Sequence, residues 1–100
     1  MMCRERNYMK EHLKLSPYVI KRYEAPLETY FFYNVKNKTF WETDYSTGAV
    51  VAALDGSLLK SEIYHILSEN NPEILFEKIQ KKFDETFDFL VKEEFLVYAN

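Results

Sequence analysis

The sequence contains little cysteine, glycine and proline. Its 100 residues include one cysteine, two glycines and three prolines. The single Cys3 cannot form an internal disulfide or a cysteine-rich metal site, which fits a reducing compartment. The chain also has no glycine-rich phosphate loop, no nucleophile elbow and no Cys/His metal spacing. These absences exclude disulfide-framework proteins and argue against nucleotide-binding or zinc-binding functions.

Long apolar runs are missing as well. Residues 1–15 are strongly polar and no apolar h-region follows them, so we expect no signal peptide. No stretch approaches the roughly 18 apolar residues of a membrane span. We therefore expect a cytoplasmic protein with a polar tail over residues 1–15 and one domain over residues 16–100.

The charge balance is slightly acidic, and aromatic residues are abundant. The net charge is −3, whereas a domain that binds nucleic acid by charge alone is normally basic. Hydrophobic residues make up 47% and aromatic residues 17% of the chain. This composition predicts a globular domain with a substantial core.

The first half of the domain has the pattern of β-strands. Residues 18–23, 29–36 and 39–43 are rich in aromatic and β-branched side chains. Only Asn37-Lys38 separates the last two strands, which favours a hairpin. Alternation places Tyr30, Phe32 and Asn34 on one face and Phe31, Tyr33 and Val35 on the other.

From Tyr45 onward the apolar spacing is that of helices. Asp44 can cap the first helix, and Asp55-Gly56 ends it. The apolar positions of this helix are Thr47, Val50, Val51 and Leu54. The spacing therefore predicts a short helix packed through one face.

Two further helices follow. Ser57 or Ser61 can cap the second, and Asn71-Pro72 is suited to begin the third. Their apolar stripes are Leu59, Ile63, Ile66 and Leu67, and then Phe76, Ile79, Phe83, Phe87 and Leu90. We expect an α+β fold in which a three-stranded antiparallel sheet is followed by three helices, as in winged-helix domains.

The sequence contains few side chains that could form a catalytic or metal-binding site. His12 lies in the polar tail and His65 at the edge of a helical stripe, without convergent partners. Asp84, Glu85 and Asp88 have lysines around them, which is typical of a solvated surface rather than a cation site. We expect no catalytic residues, no metal and no cofactor.

One stretch of sequence resembles a known family. Residues 41–67, WETDYSTGAVVAALDGSLLKSEIYHIL, combine a strand end, a helix ending in Asp55-Gly56 and a helix beginning near residues 61–63. This arrangement resembles the PqqD-like family of RiPP recognition elements, which serve ribosomally made and post-translationally modified peptides. The similarity extends over about residues 18–98. Where the family often has glycine before the final apolar pair, this chain has Glu94, so we expect a different helix end.

The resemblance implies a function and partners. In that family, three antiparallel strands and three helices bind the leader peptide of a precursor. The leader adds as an extra strand beside the third strand, next to the third helix. A chain of this length implies the stand-alone kind, whose partner is a maturation enzyme: a radical SAM enzyme, a cyclodehydratase or a lasso-type protease.

Carried onto this chain, the resemblance gives a candidate site. The third strand provides backbone groups for strand addition, and the third helix provides the wall of an apolar groove. Phe40 and Trp41 point to opposite faces, so only one of them faces the groove. The candidate peptide-binding residues are Thr39, Phe40, Trp41, Glu42, Thr43, Ile79, Lys82, Phe83 and Thr86. A leader with apolar anchors and an acidic residue matches such a groove, and we expect Phe83→Asp and Lys82→Glu to weaken binding without loss of the fold.

Other functions stay open. A winged-helix DNA-binding regulator needs a basic recognition helix, whereas the second helix has only Lys60 and His65 against Glu62 and Glu69. A structural adaptor that binds a protein through its aromatic surface is the third alternative. Exposed edge strands can also pair between copies, so the chain is compatible with a dimer.

Overall fold

The computed structural model describes residues 12–99 and contains six strands and three helices in them. In chain order they are β1 (His12–Leu15), β2 (Val19–Glu24), β3 (Thr29–Asn34), β4 (Thr39–Asp44), α1 (Tyr45–Ala52), β5 (Asp55–Leu59), α2 (Lys60–Asn70), α3 (Phe76–Lys92) and β6 (Leu96–Tyr98). A short 3₁₀ turn at Ala25–Leu27 joins β2 to β3. The predicted α+β class is confirmed.

Strands β2, β3 and β4 form an antiparallel meander in that order. The register pairs Lys21 with Phe32 and Phe32 with Trp41. Directly paired residues share a face, so these three side chains all point to the inner face of the sheet. The predicted hairpin is confirmed, although β3 ends at Asn34 rather than at residue 36.

The helices and the second sheet cover this inner face. Phe32 on β3 is fully buried, and the side chains around it come from every layer of the molecule. The largest buried apolar side chains are Leu13, Phe32, Ile63, Leu67, Ile79, Phe87, Leu90, Phe95 and Leu96. The predicted apolar stripe of α3 is confirmed, because Ile79, Phe83, Phe87 and Leu90 are all buried.

A second antiparallel sheet, in the order β5-β1-β6, was not predicted from the sequence. Its central strand is β1, in which Leu13 is fully buried. Residues 12–15, assigned above to the polar tail, therefore belong to the folded domain, and Leu13 is part of its core. Cys3 and the rest of residues 1–11 lie outside the described residues.

Helix α1 packs unusually close to β3. A β carbon at Gly48 would lie 2.4 Å from the Tyr30 Cβ atom, so any side chain at this position would force the helix away from the sheet. Glycine is required here for close approach, since its backbone does not have a positive φ. The other glycine, Gly56, has a φ of 93° and lies inside β5 rather than at a helix end.

The starts of α2 and α3 differ from the sequence prediction. Leu59, rather than a serine, occupies the N-cap of α2, and its N–H donates to the Glu62 carboxylate at 2.8 Å. Helix α3 begins at Phe76, whereas Asn71-Pro72 starts only a turn. Local capping signals were present at the serines and at Asn71, but the packing of the apolar stripes determined where the helices begin.

Candidate functional site

Strand β4 forms a free edge of its sheet. All six residues pair with β3 on one side, and among residues 12–99 no strand pairs with its other side. In an antiparallel edge strand, alternate residues direct both N–H and C=O away from the sheet, which leaves about three residues of β4 with unpaired backbone groups. This edge can accept another extended chain.

The opposite edge, β2, is protected in a way that β4 is not. Lys21 Nζ donates to the carbonyl of Ala52 at the end of α1 at 2.8 Å, which ties the helix over this side of the sheet. Arg22 forms an ion pair with Glu24 at 2.8 Å. Basic side chains discourage pairing at sheet edges, and β4 contains no lysine, arginine or proline. Of the two edges, β4 is the one open to strand addition.

Three aromatic rings connect the free edge to helix α3. The centre of the Trp41 ring on β4 lies 6.4 Å from the centre of the Phe95 ring, and the centre of the Phe89 ring on α3 also lies 6.4 Å from that of Phe95. We call Trp41, Phe95 and Phe89 the aromatic row. Phe95 is fully buried, Trp41 is half-buried, and Phe89 is 40% exposed. An apolar surface therefore lies directly beside the free backbone edge.

The end of α3 brings Phe95 into the aromatic row. The Phe95 N–H donates to the Leu90 carbonyl at 2.8 Å and the Glu94 N–H donates to the Val91 carbonyl at 3.1 Å, which is a Schellman motif. Glu94 has a φ of 64°, the left-handed conformation that favours glycine. The helix therefore ends in the left-handed conformation that favours glycine, although the residue at this position is a glutamate.

Replacing Glu94 by glycine is expected to raise the free energy of unfolding by about 0.5–1 kcal/mol. Glycine adopts the left-handed conformation without the steric cost of about 1–2 kcal/mol that a glutamate has there. This gain exceeds the cost of the additional conformational entropy that glycine has in the unfolded chain. The exposed Glu94–Lys36 contact, at 3.7 Å, contributes little. Urea unfolding measures the change. Glu93→Gly is the control, since Glu93 has a φ of −89° and should lose stability; equal effects of both substitutions would contradict the argument.

Asn34 fastens the sheet to this helix end. It is fully buried on β3, and its Nδ2 donates to the Glu94 carbonyl at 2.8 Å. Its Oδ1 accepts hydrogen bonds from the backbone N–H groups of Lys36 and Asn37 at 2.9 and 3.3 Å. A single side chain therefore holds both the β3–β4 turn and the end of α3, which sets the separation between β4 and the helix.

The candidate residues on β4 divide between the two faces of the sheet. Trp41 lies on the inner face, with Thr39 and Thr43 half-buried on either side of it. Phe40, 56% exposed, and Glu42 point to the outer face. Of the two aromatic residues at this strand, Trp41 is therefore the one on the inner face of the sheet.

The candidate residues on α3 also divide into two groups. Ile79 and Phe83 are buried in the core, at 0% and 3% exposure. Lys82 is exposed, with its Nζ 5.3 Å from the centre of the Phe83 ring, and the Thr86 hydroxyl donates to the Lys82 carbonyl at 3.4 Å. Because Phe83→Asp would bury a charge in the core, we no longer expect the fold to survive it. Lys82→Glu remains a usable test.

Phe89 was missed by the sequence prediction. It follows Lys82 and Thr86 at the i, i+4, i+7 spacing, so these three residues share one side of α3. The sequence signal was its position in the helical pattern. Phe89 lies two residues after Phe87, so it is outside the buried apolar stripe and on the otherwise polar face of the helix. An aromatic residue off the core face of an amphipathic helix is a candidate for binding.

Other features do not contribute to this site. A concave surface of about 580 Å³ lies between α1 and α2, lined mainly by apolar side chains such as Val50, Leu58 and Ile66, and none of residues 39–44 borders it. The Tyr64 hydroxyl donates to the Asp84 carboxylate. Burial, and then this hydrogen bond, raise the pKa of Tyr64 well above its ordinary value. Tyr64 therefore stays neutral and has a structural role.

Clusters of metal-binding side chains and membrane-spanning helices are both absent from residues 12–99. This part of the chain contains no group of three or more His, Cys, Asp or Glu side chains placed to hold a metal ion. None of its helices has the length and apolar character needed to cross a membrane.

Comparison with known proteins gives one informative likeness. No protein-family model matches the chain, and no curated protein matches it. A solved structure of TbiB1 in complex with the TbiA(beta) leader peptide is similar to this chain, with a TM-score of 0.69. The two are 15% identical, and the alignment covers 87% of this chain and 99% of that chain. At this identity the likeness establishes a shared fold.

Proposed function

We propose that this chain binds the leader peptide of a ribosomally made precursor as an added strand along β4, and that it presents the precursor to a maturation enzyme without catalysing a reaction. One observation carries the proposal: the free edge of β4 lies beside the aromatic row. The fold shared with TbiB1, which was solved with a leader peptide, supports it.

The free edge supplies affinity with little demand on sequence. A guest strand along β4 would pair with the unpaired N–H and C=O groups, and its inward side chains would pack on Trp41 and Phe89. A micromolar complex requires only about 8 kcal/mol. Backbone pairing and burial of two or three apolar side chains, about 1.5–3 kcal/mol each, must supply this value in addition to the entropy cost of association.

The remaining candidate residues would have supporting roles. Thr39 and Thr43 flank Trp41 on the inner face and limit the size of the neighbouring guest side chains. Lys82, exposed at the rim, would attract an acidic residue of the leader, and Thr86 lies one turn further along α3. Ile79 and Phe83 would support the groove from the core without contacting the guest.

The proposed partner is a maturation enzyme of the radical SAM, cyclodehydratase or lasso-type protease class. Within the recognition elements we favour the PqqD-like type, because residues 41–67 carry its arrangement of strand, helix and helix. Because the free edge of β4 binds mainly through backbone groups, it can hold an extended leader while the rest of the precursor stays accessible to the enzyme.

The probe for the test is the leader peptide of a precursor whose gene lies next to the gene for this protein. Calorimetry is expected to give micromolar binding, and hydrogen exchange is expected to show protection of the β4 amides on binding. Lys82→Glu should weaken binding about fivefold through loss of a rim charge pair. Lys81→Glu is the matched control, since Lys81 is also exposed on α3 but lies about 100° around the helix axis from Lys82. Rapid exchange in β4 with the peptide bound would rule out strand addition.

The DNA-binding alternative has no support in the structure. The exposed residues of α2 are Ser61, Glu62, His65, Glu69 and Asn70, which include two acids and no lysine or arginine. Lys60 lies 3.9 Å from Asp84. Neutralisation of phosphates by this helix would be weak. A gel shift at low salt that showed tight and salt-sensitive DNA binding would reverse this conclusion.

A further inference from the structure

The outer face of the β2-β3-β4 sheet carries an apolar row that ends at the free edge. The register pairs Ile20 with Tyr33 and Tyr33 with Phe40, so the three side chains form one line across the strands. They are 60%, 36% and 56% exposed. Phe40 is the last member of this line, and a guest strand along β4 would add the next one.

A second row next to it ends in an acid. It runs from Arg22 through Phe31 to Glu42. Arg22 is occupied by Glu24 on its own strand, and Glu42 makes no ion pair with any residue from 12 to 99. The Phe31 and Phe40 rings lie 5.7 Å apart, which joins the two rows into one surface.

Space for a long side chain exists at this end of the strand. A surface depression of about 400 Å³ borders β4 at Glu42, Thr43 and Asp44, and Leu27 and Glu28 close its other side. Its lining contains the apolar Leu27 and the carboxylates of Glu28, Glu42 and Asp44. Lysine and arginine match this lining, because they have an apolar stem and a charged head.

The direction of the guest strand follows from its host sheet. All pairs in this sheet are antiparallel, and antiparallel pairing is the more stable kind. In an antiparallel guest, the residue opposite Glu42 comes two positions before the residue opposite Phe40. The residue between them lies opposite Trp41 and faces the groove.

We propose that Phe40 and Glu42 determine the specificity of the site: the guest carries lysine or arginine opposite Glu42 and, two residues later, an aromatic or β-branched residue opposite Phe40. The inference rests on the proposed strand addition and extends it to the outward side of the peptide. Opposite charges and aromatic pairs directly across antiparallel strands are mutually stabilising, and like charges are destabilising.

The test begins with a random peptide library displayed on phage, with peptides long enough to span β4. It is panned against the full chain and against Glu42→Lys. Peptides selected by the unmodified chain are expected to be enriched in a basic-x-aromatic or basic-x-branched pattern. Those selected by Glu42→Lys should carry an acid at the first position instead. Glu69→Lys, an exposed charge reversal on α2, is the control and should select the same pattern as the unmodified chain.

Calorimetry then measures the pairing directly. A selected peptide and its copy with glutamate in place of the basic residue are titrated into both proteins. We expect the basic peptide to bind the unmodified chain about fivefold more tightly than its copy, and the order to reverse for Glu42→Lys. Phe40→Lys should remove the preference for the aromatic or branched residue.

The outcomes separate this inference from the proposed function. If peptides bind and protect the β4 amides but the Glu42→Lys selection shows the same residues, the specificity assignment is wrong and strand addition stands. The reverse order, aromatic before basic, would overturn the antiparallel direction. If no selected peptide protects the β4 amides, both proposals fail.

Discussion

Replacing Asn34 by alanine is expected to lower the free energy of unfolding by about 3 kcal/mol. The side chain is fully buried and makes three hydrogen bonds, to the Glu94 carbonyl and from the Lys36 and Asn37 N–H groups. Its removal leaves three partly buried backbone groups without this partner, and each group that water cannot reach costs about 1–3 kcal/mol.

The matched control is Asn37→Ala. The Asn37 Nδ2 makes the same kind of hydrogen bond, to the Glu93 carbonyl at 2.8 Å, but its side chain is exposed. Water can replace the lost partner, so we expect a change of about 0.5–1 kcal/mol. Urea unfolding of both variants measures the difference. Similar decreases in the free energy of unfolding for Asn34→Ala and Asn37→Ala would contradict the argument that burial makes the Asn34 hydrogen bonds more stabilising than those of Asn37.

Asn34 also links stability to binding. It holds the β3–β4 turn against the end of α3, so its loss should loosen the groove before the protein unfolds. Leader binding by Asn34→Ala should therefore be weaker even at temperatures where the variant remains folded. Unchanged affinity in the folded variant would mean that β4 and α3 keep their separation without this side chain.

Replacing Phe89 by alanine is expected to weaken leader binding about 30-fold. Phe89 is the exposed end of the aromatic row, and truncation of an aromatic anchor at a binding site costs about 2 kcal/mol or more. Because 40% of the side chain is exposed, the free energy of unfolding should change by only about 1 kcal/mol. Calorimetry with the leader probe and urea unfolding separate the two effects.

Leu75→Ala is the control for this prediction. Leu75 is 70% exposed and is the N-cap residue just before α3, at the opposite end of the helix from Phe89, so it matches Phe89 in being an exposed apolar residue. Its replacement should leave binding unchanged. Equal affinities of Phe89→Ala and the unmodified chain would place the guest away from the aromatic row. Trp41→Ala is less suitable, because Trp41 also packs on Phe32 at 5.2 Å and its loss would affect the core.

The sequence-based predictions were accurate where the pattern is local. The meander and its hairpin followed from alternation, and the buried face of α3 followed from spacing. Strand β1 was missed because a stretch such as HLKL has one buried residue, Leu13, between polar neighbours. Its strand conformation depends on β5 and β6, which are far away in the chain.

The site shows the same division. Resemblance pointed to the strand beginning at Thr39 and to the third helix, and the structure places Trp41 rather than Phe40 on the inner face of the sheet. Ile79 and Phe83 belong to the core, because the stripe that defines a helix is also the stripe that it buries. Phe89 lies off that stripe, so only its position beside Phe95 made it a candidate for the site.

By itself the sequence determined the strands of the meander, the three helices and the α+β class, since alternation and helical spacing depend on residues a few positions apart. The tertiary structure alone decided that β1 and β6 close a second sheet. It also decided that Trp41, Phe95 and Phe89 meet beside the open backbone of β4. Contacts between distant parts of the chain depend on how all the apolar surfaces are covered at once, and local periodicity does not record them.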